Sequence, residues 1–133
     1  MLSQRSKAAP SSVAQKFALL DHAQLLHVVA LHEADGKPYV LENRWINDKI
    51  MPHSENVSFA ELSANEWLLQ NTPFTHGDID FSAKNASQRE ATLLRTKPNT
   101  ALFVISRTTW DHEKAVTMVE LVFHAGHRKR TQL

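Results

Sequence analysis

The chain has 133 residues, of which 42% are hydrophobic and 22% charged, with a formal net charge of +1. This composition suits one ordinary domain with a continuous apolar core, and the near-zero charge supplies no global field for holding a nucleic-acid backbone. Zero cysteines exclude disulfides, thiol nucleophiles and thiolate metal sites, while the lack of a membrane-length apolar run or signal-peptide core leads us to expect a cytoplasmic domain without membrane contact.

Residues 1–12 are polar, rich in Ser, Gln and Lys with Pro10, and read as a linker or disordered arm; the folded domain is expected to span 13–133. Ser12 is placed to cap a short helix whose apolar residues Val13, Phe17 and Leu20 recur at helical spacing and which ends before Asp21. Residues 25–33 read as a strand. The turn Asp35-Gly36-Lys37-Pro38 leads into a second strand over 39–46, since glycine reaches positive φ and proline suits a strand's first position. Alternation places Val40, Glu42, Arg44 and Ile46 on one side and Tyr39, Leu41, Asn43 and Trp45 on the other. It also sets His27 on the face opposite His32. Charged residues between apolar ones are ordinary on a solvated strand face, where an ion pair contributes little.

Residues 48–57, with Pro52, read as a loop. Two short helices are predicted next, one over 59–62 and one opened by the capping-box spacing of Ser63 and Glu66 and stopped before Pro73. In 74–84, Ile79 and Phe81 alternate with Asp78, Asp80 and Ser82 as in a half-buried strand. Asn85-Ala86-Ser87-Gln88 resembles a helix start and precedes a helix over 89–94, with Ala91, Leu93 and Leu94 on its apolar side. A second hairpin pairs 101–110 with 115–124 around a polar turn at 111–114. Five strands, four of them in two antiparallel hairpins, with short helices between them, predict an α+β domain with one mostly antiparallel sheet.

Eight histidines raise the question of a metal, but no His-Glu-x-x-His occurs, and His124-Ala125-Gly126-His127 falls at a strand end. No metal site is expected. A Gly-x-Ser-x-Gly elbow and a phosphate-cradling glycine loop are both missing, so neither catalytic residues nor a cofactor are assigned. What remains is a set of polar side chains on a sheet, suited to a small charged ligand. Arg44 or Arg107 can pair with a carboxylate through two parallel hydrogen bonds, and Glu42 can accept from an N–H or hydroxyl donor. Arg107 shares its face with Phe103 and Ile105, and Glu120 shares one with Met118 and Val122; each is either a pocket group or half of a buried pair. The basic run His127-Arg128-Lys129-Arg130 reads as a solvated strand end.

Several stretches together carry a family resemblance: His27 to His32, Leu41-Glu42-Asn43-Arg44-Trp45-Ile46-Asn47, Thr72-Pro73-Phe74-Thr75, and Arg107-Thr108-Thr109-Trp110 with Val116-Thr117. From about 13 to 129 the chain resembles the UTRA effector-binding domain of the HutC branch of GntR-type bacterial transcription regulators. Within that branch it is most similar to histidine-utilisation repressors. The resemblance implies a chorismate-lyase-like fold and a non-enzymatic sensor of a small metabolite, which for those repressors is urocanate. It carries ligand contacts onto Glu42 and His32 first; Arg44, Arg107 and Glu120 are further candidate ligand-binding residues. Sugar-phosphate-binding relatives have arginines at the positions of Ala30 and His32, which argues against a phosphorylated sugar here.

Urocanate would give Arg44 or Arg107 its carboxylate and Glu42 or His32 its ring nitrogens. A homodimer is implied, with operator DNA reached only through a winged-helix domain that these 133 residues do not include. Either a piece of a longer repressor or a free-standing sensor fits that expectation. The alternative on the same fold is a chorismate-lyase-like enzyme, in which an arginine holds a carboxylate and a glutamate assists elimination.

Overall fold

The computed structural model describes residues 2–20, 23–48 and 76–132. Six strands form one antiparallel sheet: β1 (Ser3–Ala8), β2 (Gln24–Ala34), β3 (Lys37–Ile46), β4 (His76–Asn85), β5 (Ala101–Asp111) and β6 (Lys114–Phe123). Their spatial order is β1-β2-β3-β6-β5-β4, so the two hairpins meet where β3 pairs β6, with Glu42 opposite Leu121 and Arg44 opposite Val119. Two short helices, α1 (Ser11–Lys16) and α2 (Gln88–Leu94), complete the described architecture. This is the α+β fold with a mostly antiparallel sheet that the patterning predicts.

The first hairpin closes through Asp35 and Gly36, whose φ values of 52° and 73° give the doubly left-handed turn that matches strand twist. Lys37 and Pro38 therefore belong to β3 itself. Ser87 caps α2 through a complete capping box: its hydroxyl accepts from the Glu90 N–H at 3.1 Å and its N–H donates to the Glu90 carboxylate at 2.9 Å. Arg95, in the left-handed region, ends that helix.

Both helices pack on the same sheet face. Beneath α2 lie Val29, Leu41, Leu102, Val104 and Val122 with Ala91 and Leu94 of the helix. Beneath α1, Val13, Ala14 and Phe17 pack with Leu25 and Trp45. The opposite face carries Val28, Ile46 and Val119, each under 2% exposed.

Three expectations need correction. Residues 3–8 form β1, which pairs with β2 from Ser3 opposite Val29 to Ala8 opposite Gln24. An edge strand is held by backbone hydrogen bonds on one side, so a polar composition suffices for it. The α1 helix starts after Pro10 and stops at Lys16, because Ala18 turns into the left-handed region; Leu20 is left 87% exposed and outside the apolar stripe. The strand β4 does not bury its apolar side: Ile79 and Phe81 are 55% and 65% exposed on the sheet's other edge. The loop and helices expected over 48–73 and the Thr72-Pro73-Phe74-Thr75 stretch lie essentially outside the described residues.

Candidate functional site

Strand alternation and the sheet register together assemble a polar cluster on the face away from α1 and α2. Ala30 of β2, Glu42 of β3 and Leu121 of β6 lie side by side, and the adjacent row runs Val28, Arg44, Val119, Arg107 and Ile79 across five strands. His32 stands opposite Val40, just before a bulge in the β2–β3 pairing. Glu42, Arg44, His32 and Arg107 thus share one face.

Glu42 is the hub. Its Oε1 accepts from His32 Nε2 at 2.7 Å and its Oε2 from Arg44 Nε at 2.6 Å. The Glu42 and Arg44 side chains are 6% and 4% exposed, whereas that of His32 is 41% exposed. Burial by itself would raise the Glu42 pKa, but the hydrogen bond from His32 and the charge and hydrogen bond of Arg44 outweigh it, lowering the group to about 2. Glu42 is therefore an ionised, acceptor-only group at neutral pH. Glu42 engages Arg44 through Nε, so this contact does not use the terminal guanidinium nitrogens.

Arg107 lies two strands from Arg44, roughly 10 Å away at the usual interstrand spacing. Its pKa is lowered by burial and by the Arg44 charge, with Glu42 acting in the opposite sense. It borders a groove of about 440 Å³ whose apolar walls include Ile79, Phe81, Ile105 and Leu121, with Lys129 and Arg130 also lining it. The face therefore offers a buried carboxylate, two guanidinium groups and an apolar wall. Such a combination is chemically suited to a small ligand that has both an N–H donor and an anionic end.

The structure does not bring Glu120 to this cluster. It stands opposite Asn43 on the helix-covered face, where His27 also lies, so His27 and His32 are on opposite sides as alternation requires. There, His27 Nε2 contacts Asn43 Oδ1 at 2.5 Å and its ring stacks on Trp45 at 4.1 Å. Trp45 is a buried core residue. His124 and His127 pack among Tyr39 and Phe123, with the His127 ring stacked 4.0 Å from Phe123. Among the described residues no group of three or more His, Asp or Glu side chains is gathered as a metal would require. Sequence reasoning did not place Lys7 and Arg89 beside a cleft on the helix-covered face, or Lys129 beside the Arg107 groove, because these positions depend on the placement of β1, α2 and the C-terminal segment.

The UTRA domain family model matches residues 1–129. The histidine utilization repressor of Pseudomonas putida is 28% identical over 126 residues, covering 95% of this chain and 50% of that protein. That of Klebsiella aerogenes is 25% identical over 109 residues, covering 82% and 45% respectively. The chain thus spans about half the length of the curated relatives it matches. Among solved structures, the C-terminal domain of the histidine utilization repressor from Pseudomonas syringae pv. tomato superposes with a TM-score of 0.90 at 25% identity, covering 99% of this chain and 94% of that one. The effector domain of PhnF from Mycobacterium smegmatis gives 0.84 at 18% identity, covering 98% and 82%, a likeness of fold.

Proposed function

The chain belongs to the UTRA domain family, and from that premise we propose that it is the effector-binding domain of a GntR-type transcriptional repressor of histidine utilisation, with urocanate or a related small carboxylate as ligand. The observation that carries this reading is the His32–Glu42–Arg44 cluster, an ionised carboxylate held between an imidazole and a guanidinium on a buried strand face. Urocanate joins an imidazole ring to a carboxylate. Glu42, as an acceptor, suits the ring N–H, while the terminal nitrogens of Arg44, or Arg107 across the sheet, suit the carboxylate as a bidentate pair. The similarity to histidine utilization repressors over most of this chain supports the same ligand class.

Binding acts through linkage. A ligand that prefers one arrangement of two domains over another shifts the population of the DNA-reading geometry by its differential affinity. The working unit is a homodimer, supported by the exposed Ile79 and Phe81 on edge strand β4. Operator contact belongs to a separate winged-helix domain, with two-fold half-sites matching the dimer. The domain binds its ligand without turning it over, so incubation with chorismate yields no product.

Isothermal titration calorimetry with urocanate, using histidine and a sugar phosphate as controls, tests the reading. Saturable binding selective for urocanate, lost in folded Glu42→Ala and Arg44→Ala variants, is expected. Undiminished binding in both variants would place the site elsewhere, and no binding by the folded parent would remove the ligand assignment.

A further inference from the structure

On the helix-covered face, between α1 and α2, lies a cleft of about 370 Å³ to which β1, β2, β3 and β6 also contribute. It is separated from the Glu42 cluster by the thickness of the sheet. Its floor is a polar row across three strands: His27 on β2, Asn43 on β3 and Glu120 on β6. Asn43 and Glu120 are direct cross-strand partners, about 5 Å apart at Cβ. Trp45 and Val122 add apolar walls, and Lys7 and Arg89, both exposed, stand at the rim.

His27 forms a buried, uncharged part of that floor. The residue is 7% exposed, and burial is the chief cause lowering its pKa below the ordinary 6.5, so the neutral form prevails at pH 7. An amide oxygen only accepts, so Nε2 carries the proton donated to Asn43 Oδ1. Nδ1 then bears a lone pair. That atom is fully buried and has no hydrogen-bond partner, a condition that native structures rarely leave unanswered. Glu120, in contrast, is open to a partner: the Lys84 ammonium beside it donates at 2.8 Å to Glu90 instead, and among the described residues no side chain hydrogen-bonds Glu120.

The cleft therefore has a carboxylate acceptor, Glu120, on its floor and two cations at its rim. Its complement is a molecule with a cationic N–H donor at one end and an anion at the other. We propose that this cleft is a second ligand site, independent of the Glu42 face, and that it takes a free α-amino acid: the ammonium group on Glu120, the carboxylate on Arg89 and Lys7, and the side chain against Trp45 and Val122. The volume accommodates such a ligand with room for a medium-sized side chain.

Titration calorimetry of the whole chain with L-leucine, L-glutamine and L-histidine tests this assignment. At least one of the three binds saturably, and its affinity falls tenfold or more in Glu120→Gln and in Arg89→Ala, the loss expected for a charge-assisted hydrogen bond. Excess urocanate does not compete with it. Absence of binding by all three, undiminished affinity in both folded variants, or displacement by urocanate would overturn the proposal. Urocanate binding to the opposite face is read separately in the same apparatus, so either site can fail alone.

Discussion

The two sides of β3 solve one physical problem in opposite ways. On one side Glu42 and Arg44 are 4% and 3% exposed and remain charged; on the other His27, 7% exposed, is neutral. Burial opposes charge in both places, raising the Glu42 pKa and lowering that of His27. At Glu42 two cationic or donor partners reverse the effect, whereas at His27 the single bond to Asn43 does not. Partner chemistry, and not depth alone, decides which buried group keeps its charge. Alternation along Glu42-Asn43-Arg44-Trp45 is what delivers the two outcomes to opposite faces.

The comparison breaks most forcefully at Arg44. Arg44→Ala leaves Glu42 buried with only His32 beside it and should destabilise the domain by about 3–5 kcal/mol, measured by urea unfolding. Replacing both partners, Glu42→Met with Arg44→Leu, should hold stability near the parent's while abolishing urocanate binding, separating the pair's structural part from its ligand-binding part.

A smaller effect, a few kcal/mol, is expected from pH. The depressed Glu42 pKa contributes stability that is fully present above its ordinary value of 4.5 and is lost as pH falls from there to about 2. Urea unfolding of a Glu42→Gln variant across that window should lack this component of the acid loss. His27, whose pKa lies below its ordinary 6.5, adds a loss of the same sign as pH falls through and below that value.

Ser87→Ala on the helix side removes the capping hydroxyl of α2 and should cost about 1 kcal/mol. Smallest in stability is Phe81→Glu on edge strand β4, within about 0.5 kcal/mol by the same unfolding assay because the ring is already exposed. If the proposed homodimer forms through β4, sedimentation should nevertheless find that variant monomeric and the parent dimeric.

Local pattern carried much of this architecture. The hairpin turn at Asp35-Gly36, the common face of Glu42 and Arg44, and the separation of His27 from His32 all follow from chemistry within a few residues. The errors gather at the two edges of the sheet. A polar edge strand such as β1 needs no apolar alternation, and an alternating strand such as β4 need not bury its apolar side when only one neighbour flanks it. The β3–β6 pairing that seats Arg107 beyond Arg44 joins distant parts of the chain and leaves no local mark. The same holds for Glu120, whose face relative to Glu42 is fixed only by that register.

The most direct test of the central claim follows the imidazole nitrogen resonances of His32 and His27 as urocanate is added to the isotopically labelled chain. If the Glu42 cluster is the effector site, the His32 signals shift to saturation and those of His27 stay in place. Movement of His27 with His32 unchanged, or of neither ring, would contradict it.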